Sequence, residues 1–263
     1  MISAENTGVP STRRRSARLA AAEPRDHNGR ETTGLDEVPR RRNTQVQPVA
    51  QPPVSNNCGP SRDLEEGLWD RGFQRVAGID EAGRGPLAGP VVAAACHVPA
   101  DVVIQGVKDS KKLSAKRREE LYELLTNEPH VSVSTCVIEP LVIDEINILQ
   151  ATLLAMHRAA NELRPPADFH LVDGLQVPKG VDTGTWRAVT GGDDCCHAIA
   201  AASIIAKVTR DRLMMQYHEQ WPQYGFADHK GYGTKKHMAA LKQHGPCPIH
   251  RRSFEPIKSG LYK

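Results

Sequence analysis

The stretch GIDEAGRGPLAGPVVAAA, residues 78–95, places two adjacent acids, Asp80 and Glu81, between two short apolar runs. The first run, RVAGID, and the second, VVAAACHV at residues 91–98, are short and rich in valine and alanine, which predicts two buried strands. A buried carboxylate without a partner is costly, so an acid at the end of a core strand needs a cation or hydrogen-bond donors. The pair of acids therefore marks a point of the chain where such a partner is expected.

Acids follow or precede apolar segments at two further places. FHLVDG, residues 169–174, is predicted to be a strand that ends at Asp173, and TGGDDCC places Asp193 and Asp194 just before an apolar helix. Ligands of open α/β sheets gather at strand ends, and a hard divalent cation such as Mg²⁺ or Mn²⁺ is the ordinary way to hold carboxylates together. In nucleases such ions bridge the scissile phosphate. One acid of this kind is more often a loop cap or an ion-pair partner, but three separate segments favour a metal site.

The rest of the folded part contains further strands and helices. Alternation with a period of two predicts a strand at residues 131–138, and helical periodicity predicts helices at 114–127, 140–163, 198–221 and 235–244. Ser114 is the expected N-cap of the first of these helices. Strands grouped early and helices concentrated late indicate a mixed α/β domain with a central sheet covered by helices.

Residues 1–62 differ in composition from the rest of the 263-residue chain. They contain no aromatic residue, seven of the 19 prolines, ten arginines, no lysine and six acids, a net charge of +4. Such a segment buries too little apolar surface to offset its ordering entropy, which predicts a disordered basic extension at residues 1–62 before a folded domain at residues 63–263. The remainder carries a net charge of −1, so nucleic-acid binding there requires a local basic patch.

Location and cysteine usage have simple interpretations. The sequence has no run of about 18 apolar residues and no apolar signal-peptide core. Its six cysteines form no C-x-x-C pair, which favours reduced thiols in an intracellular protein. We expect a cytoplasmic protein, with an organelle as the alternative if the arginine-rich extension is a transit peptide. In HGPCPIH, three residues offer zinc-type ligands without an obvious fourth, so a structural zinc is the less favoured hypothesis: His244, Cys247 and His250.

The glycines beside the acids indicate a close backbone approach to a ligand. Gly83, Gly85 and Gly89 miss the spacing of a dinucleotide-binding fingerprint by one residue, and Arg84 sits inside the turn. Glycine amides and an adjacent guanidinium suit a sugar or a phosphate. Basic clusters are usually only solvated faces, but beside the acids they predict phosphate contacts, and Tyr232 in HKGYGTKKH offers a flat surface for a sugar or base. The predicted phosphate contacts are Lys111, Lys112, Lys207, Arg210 and the segment 229–237.

Seven segments in order resemble bacterial ribonuclease HII, of the RNase H type 2 family, from about residue 70 to 258: GIDEAGRGPLAGPVVAAA, VKDSKKLS, IDEINILQATLLAM, LVDG, AAASIIAKVTRDR, YGFADHKGYGTKKH and HRRSFEPIK. The resemblance implies an RNase H-like fold, with a central mixed β-sheet flanked by helices and a C-terminal helical part. It also implies hydrolysis of the RNA strand of RNA–DNA hybrids. DNA duplexes would be nicked on the 5′ side of embedded ribonucleotides, leaving 3′-hydroxyl and 5′-phosphate ends, as in replication and repair.

The resemblance also implies roles for particular residues. The catalytic and metal-binding acids would be Asp80, Glu81, Asp173 and Asp193, with Mn²⁺ or Mg²⁺ as cofactor. The element Gly83, Arg84 and Gly85 would sense the ribose 2′-hydroxyl, and Tyr232 would pack against the neighbouring sugar. The implied partners are RNA–DNA hybrids and ribonucleotide-containing DNA. We expect a monomer without a membrane partner.

The chain departs from the family pattern at one acid. The family usually has one acid followed by a small polar residue, whereas this chain has Asp193 and Asp194 followed by Cys195 and Cys196. The spacing to Ser203 favours Asp193 and leaves the role of Asp194 open. For the two cysteines, packing is the favoured role and sensitivity to oxidation or to soft metals is the alternative. Asp211, between two arginines, is predicted to form only an ion pair.

Two alternatives and one geometric difficulty accompany this interpretation. A protein that binds hybrids without cutting them would not need all four acids, and a carboxylate exonuclease would not need a Gly-Arg-Gly sugar sensor. Adjacent residues of a regular strand face opposite ways, so Asp80 and Glu81 share a metal site only if the strand ends or twists between them.

Overall fold

The computed structural model describes residues 59–261, and the predicted N-terminal extension lies outside them except for its last four residues. The predicted domain start, Asp63, is the first residue of the first helix. Just before it, Ser61 pairs with Cys196, and the Arg62 guanidinium donates to the carbonyls of Pro99, Ala100 and Val102.

Five strands and eight helices make up the described part. The strands are β1 (Val76–Ala82), β2 (Val91–His97), β3 (Ser132–Ile138), β4 (Phe169–Asp173) and β5 (Trp186–Val189). The helices are α1 (Asp63–Trp69), α2 (Ala115–Asn127), α3 (Pro140–Ile146), α4 (Ile148–Glu162), α5 (Gly192–Cys195), α6 (His197–Gln220), α7 (Phe226–His229) and α8 (Lys235–His244). Short 3₁₀ turns lie at Ser110–Lys112 and Pro222–Tyr224.

The strands form one mixed sheet in the order β3-β2-β1-β4-β5. β1 pairs antiparallel with β2 and parallel with β4, while β3 and β5 form the edges. β1 and β4 were predicted to end in acids, and their parallel pairing puts both ends at the same edge of the sheet. β5 is not predicted from the sequence, because its four residues are too few for a clear periodicity.

Helices cover both faces of the sheet, as predicted. α4 buries its alanine-rich stripe on one face against β1, β2 and β3, and α6 covers the other face against β1 and β2. The approach of α6 depends on Gly78, because a Cβ there would lie 2.0 Å from the carbonyl carbon of Ala198. The α1 residue Glu65 accepts a hydrogen bond from the Ala198 amide at 2.7 Å, which satisfies a free N–H in the first turn of α6.

The prediction of one helix over residues 140–163 is wrong. The chain forms α3 and α4, separated by Asn147, whose φ is 66° and ψ is 162°. A residue with this φ cannot continue a right-handed helix. The Asn147 side chain instead accepts a hydrogen bond from the Gln150 amide at 3.1 Å and starts α4 as its N-cap. Asparagine tolerates a positive φ better than most residues, which locates the break here.

The C-terminal elements form a second, smaller core beside the sheet. The end of α6, together with α7 and α8, packs around Phe226, Tyr224 and Leu241, and the loop residues Leu87 and Ala88 join the same core. The loop that follows β1 is therefore held between the sheet and the C-terminal helices. Among the described helices, none combines the length and the apolar character that a bilayer crossing requires.

Candidate active site

Three acids from two neighbouring strands converge at one edge of the sheet. Carboxylate oxygens of Asp80, Glu81 and Asp173 all lie within 4.8 Å of one another. The sheet register explains the meeting: Ile79 pairs with Val172, so the residues that follow, Asp80 and Asp173, are neighbours at the ends of parallel strands. The structure thus brings together three of the four predicted metal ligands.

The adjacency of Asp80 and Glu81 does not keep their carboxylates apart. β1 does not end between them, since Asp80 pairs with Ala94 and Glu81 with Ala93 in the ladder with β2. On the other side, however, the pairing of β1 with β4 stops at Ile79, which leaves that flank of β1 open from Asp80 onward. The Glu81 carboxylate joins the group, and the Glu81 amide donates to Asp80 Oδ1 at 2.7 Å.

Burial raises the pKa of all three carboxyls. Asp80 is only 5% exposed, and its pKa is raised well above its ordinary value by burial first and then by the negative charges of Glu81 and Asp173. Burial likewise raises the pKa of Glu81, although the nearby Arg84 opposes it, and raises that of Asp173, reinforced by the charge of Asp193. Within the described residues, neither Asp80 nor Asp173 has an ion-pair partner within 4.0 Å. Such a set of buried oxygens fits a hard divalent cation.

Asp193 lies next to this group, and its carboxylate contacts Lys111. The separation between Lys111 Nζ and Asp193 Oδ2 is 2.7 Å, and Asp193 is buried. Partial burial by itself lowers the pKa of Lys111, but the hydrogen bond and charge of Asp193 outweigh it and raise the pKa. Asp194 differs: its side chain is 48% exposed and contacts Lys112 Nζ at 2.5 Å. Asp193, the favoured ligand, and Asp194, whose role the sequence left open, therefore have distinct environments.

The predicted sugar-sensing element forms a turn directly after the acids. Gly83 has a φ of 96°, and a Cβ there would lie 2.0 Å from Arg210 Nε, so no side chain fits. Arg84 is half exposed and reaches Glu81 at 3.4 Å. Gly85 faces the Tyr232 ring, which lies 3.5 Å from the position a Cβ would take. Tyr232 is 47% exposed, so the turn and the ring form one accessible surface beside the carboxylates.

Two predicted phosphate contacts on α6 have other partners. Arg210 is 1% exposed, and its guanidinium donates to the carbonyls of Pro90, Ala88 and Lys230, so the prediction that it contacts phosphate is wrong. Lys207 Nζ contacts Asp211 at 2.6 Å. Asp211 is thus in an ion pair, as predicted, but with the residue one turn earlier and not with its neighbouring arginines. Lys111 and Lys112 remain at the rim of the acid group.

The structure does not support a zinc site at His244, Cys247 and His250, and it gives the adjacent Cys195 and Cys196 a packing role. Within residues 59–261, only the three acids form a group that could hold a metal; the His250 ring instead contacts His237 and the Cys247 amide. Cys196 is fully buried, and burial raises its thiol pKa well above the ordinary value. Burial and the neighbouring acids also raise the pKa of Cys195. Both thiols are therefore protonated packing groups.

Two side chains that support the site, Asp109 and Arg251, are not recognisable as such in the sequence. The Asp109 side chain accepts the Lys111 amide at 2.9 Å and so shapes the turn that carries both lysines. Arg251 is 0% exposed and donates to the carbonyls of Gly83 and Arg84. The only sequence signal for Arg251 was its place in HRRSFEPIK, because a buried arginine and an exposed one look alike in a sequence.

The fold and the acid group together define the class of protein: a divalent-metal-dependent nuclease with an RNase H-like fold. The family model of ribonuclease HII matches residues 77–257. A ribonuclease HII of Chlamydia muridarum is 52% identical over 198 residues, which cover 75% of this chain and 90% of that protein. One from Geobacter metallireducens is 50% identical over 202 residues, covering 74% and 93%.

A solved structure agrees with the sequence relatives. The ribonuclease H2 of Pyrococcus horikoshii superposes with a TM-score of 0.57 at 30% identity, covering 70% of this chain and 96% of that one. The chain belongs to the ribonuclease HII family, as its motifs predicted. It is a nuclease of the ribonuclease H type, an endoribonuclease that acts on RNA–DNA hybrids with divalent metal ions.

Proposed function

We propose that this protein nicks DNA duplexes on the 5′ side of embedded ribonucleotides, leaving 3′-hydroxyl and 5′-phosphate ends, in addition to cutting RNA–DNA hybrids. The observation that carries the proposal is that the group of three acids lies directly beside the turn predicted to read the sugar. The carboxylates of Asp80, Glu81 and Asp173 adjoin the turn 83–85, and that turn faces the exposed Tyr232. A phosphate at the acids would thus have its ribose at the turn.

The proposed roles follow from position and chemistry. Asp80, Glu81, Asp173 and Asp193 would hold Mg²⁺ or Mn²⁺, which when bound activates a water and stabilises the leaving oxygen. The raised pKa values of the first three mean that these acids gain most from a cation. Lys111 supports Asp193 as the fourth ligand, because its contact at 2.7 Å holds that buried carboxylate beside the other acids.

The remaining site residues would contact the nucleic acid. Amides of Gly83 and Gly85 and the half-exposed Arg84 are suited to the ribose 2′-hydroxyl and the adjoining phosphate. Tyr232 would pack on the neighbouring sugar. Lys112 would contact phosphate, and Lys207 would do so only after leaving Asp211, since they are 2.6 Å apart. We propose that the protein works as a monomer in the cytoplasm, in ribonucleotide removal during replication and repair; its bacterial relatives support this setting.

A closed circular DNA with one ribonucleotide tests this function. We expect nicking with Mg²⁺ or Mn²⁺, with the 5′ side of the ribonucleotide as the cut. Asp173→Asn should lower the rate by at least about 100-fold, because a metal ligand is lost while the amide still accepts the 2.7 Å hydrogen bond from Gly192. Asp101→Asn, an exposed acid of the same type, is the control and should cut normally.

The same substrate separates the alternative functions. An exonuclease finds no end on a closed circle and leaves it intact. A protein that binds without catalysis also leaves the circle intact, but it slows the migration of the circle in a gel-shift assay. Intact circles with both ions and wild-type protein would therefore reject the proposed nicking activity.

A further inference from the structure

Arg251 supports the turn 83–85 from its buried side. Its Nη1 donates to the Arg84 carbonyl at 2.8 Å, its Nη2 to the Gly83 carbonyl at 2.5 Å and its Nε to the Gly89 carbonyl at 3.0 Å. Its own amide donates to the Leu87 carbonyl at 2.9 Å. A buried guanidinium is costly, and here two main-chain carbonyls of the turn and one that follows it compensate this cost. With these carbonyls directed inward, their positions are set by one planar group.

The preceding residue, His250, is connected to Tyr232 by hydrogen bonds through His237. His237 Nδ1 lies 3.0 Å from the Tyr232 carbonyl, which only accepts, so Nδ1 carries the proton. His237 Nε2 therefore accepts from His250 Nε2, 3.0 Å away, and His250 Nδ1 accepts from the Cys247 amide at 2.9 Å. Burial lowers the pKa of His237 to about 4 and, with the neighbouring His237, that of His250 to about 3. Both rings are neutral at pH 7, as this chain of hydrogen bonds requires.

The main chain around these two residues joins the same elements. His250 forms an antiparallel bridge with Ala88, and the Gly89 amide donates to the Ile249 carbonyl at 2.9 Å. The Leu87 amide donates to the Gly231 carbonyl at 2.9 Å, next to Tyr232. One dipeptide thus contacts both the turn and the segment that carries the tyrosine.

We propose that His250 and Arg251 are positioning residues for ribose recognition, which together set the separation between the turn 83–85 and Tyr232. This inference rests on the proposed sugar-reading role of that turn and ring. Neither residue touches the substrate; each acts through carbonyls of the residues that do. Loss of either contact would let the turn and the ring move apart while the carboxylates of β1 and β4 stay in place.

The test is a ratio of two dissociation constants. Binding of an all-DNA duplex and of the same duplex with one ribonucleotide is measured for the full chain in an Asp173→Asn background with Mg²⁺, so that no substrate is cut. The ratio is the dissociation constant of the all-DNA duplex divided by that of the duplex with the ribonucleotide. Both constants are measured on one protein preparation, so an unfolded fraction cancels. Arg251→Lys and His250→Asn should each lower it about tenfold, the effect of about one lost hydrogen bond.

Two further variants make the test specific. Arg252→Lys is the matched control, because Arg252 is exposed, contacts Pro246 and should keep the ratio. His250→Gln places an amide donor where Nε2 was and should retain more of the ratio than His250→Asn. The asparagine side chain is one methylene shorter, so its amide does not reach His237. If Arg251→Lys does not fold, the two His250 variants decide.

The outcomes separate this inference from the proposed function. A ratio near one in the Asp173→Asn background itself would show that the turn does not recognise the ribose, and the positioning role of His250 and Arg251 would fail with it. A high ratio that persists in Arg251→Lys and in His250→Asn would leave the sensor standing and overturn the positioning role alone. Equal weakening of both duplexes would also overturn it, since that indicates a merely structural contribution.

Discussion

Asp80 illustrates how a single buried acid connects stability with function. It is 5% exposed and lies beside two other carboxylates, so its charged form is unfavourable until a cation arrives. The charged Asp80 thus lowers the stability of the metal-free protein, and this cost is relieved when a cation binds. This cost is a property of individual side chains and is testable one residue at a time.

Replacing Asp80 by asparagine should stabilise the metal-free protein and abolish cutting. The folded-state pKa of Asp80 is raised, so the folded protein binds the proton more tightly than the unfolded chain does. Stability is therefore lost as pH rises from about 4 through the folded pKa, and asparagine removes that loss. We expect the variant to have a higher free energy of unfolding than the wild type at pH 8 without metal, and this gain to disappear toward pH 4. Thermal unfolding in a chelator, repeated with Mn²⁺, measures it; a lower melting temperature for the variant would contradict the prediction.

The two adjacent acids of α5 should differ sharply in their effect on cutting. Asp193 is buried beside the acid group, whereas the carboxylate of Asp194 is exposed and contacts Lys112. Asp193→Asn should lower the cutting rate by about 100-fold or more, as expected for a metal ligand, and Asp194→Asn by less than about fivefold. Steady-state cleavage of a hybrid compares them. Similar losses in both variants would assign Asp194 to the site as well.

At the scale of elements, β4 carries a proposed metal ligand at its end and a buried imidazole nitrogen without a hydrogen-bond partner in its interior. Asp173 ends the strand, and three residues earlier His170 stacks on Trp186 with ring centroids 4.2 Å apart. The Nδ1 of His170 is buried without a hydrogen-bond partner among the described residues. Burial lowers its pKa to about 4. The ring therefore stays neutral where an unfolded histidine would take up a proton.

Replacing His170 by phenylalanine should stabilise the protein most at acidic pH. Wild-type stability is full above pH 6.5 and falls as pH drops toward 4, because the unfolded chain binds a proton that the folded chain resists. Phenylalanine keeps the stacking and removes this loss. The stability difference should grow by about 1 to 3 kcal/mol between pH 8 and pH 4.5. Urea unfolding at several pH values tests this, and a difference independent of pH would show that His170 titrates normally.

At the scale of the whole molecule, charge is divided between the extension and the folded domain. Residues 1–62 carry a net charge of +4, while the rest of the chain carries −1. The basic groups beside the acids, such as Lys111 and Lys112, are a local patch on an otherwise balanced domain. We therefore expect the extension to add affinity without sequence preference and the domain to recognise the ribose.

Deleting residues 1–58 should weaken binding without changing the choice of substrate. The deletion stops short of Ser61 and Arg62, which contact the domain. We expect the arginines of residues 1–58 to displace counterions from phosphates, so their deletion should flatten the slope of log affinity against log salt by about 1 to 3. Titrations at several salt concentrations measure the slope. An unchanged slope would show that the extension does not contact nucleic acid.

The amino-acid sequence by itself determined the features that depend on neighbouring residues. Ser114 caps α2 through the Arg117 amide, α8 ends at Gly245, and the apolar runs form β1 and β2 as predicted. The order of the motifs was enough to establish the family and to select the acids. Caps, periodicity and turn residues act over a few positions, so they can be recognised before the fold is known.

Only the tertiary structure decided how distant residues pair. The register of β1 with β4 joins Asp80 to Asp173, the partners of Asp193 and Asp194 are lysines 82 positions away, and Arg251 reaches the carbonyl of a residue 168 positions earlier. The burial of Arg210 reversed its predicted role for the same reason. A side chain's charge and hydrogen bonds depend on what packs against it, and those neighbours are set by the long-range packing of the sheet and helices.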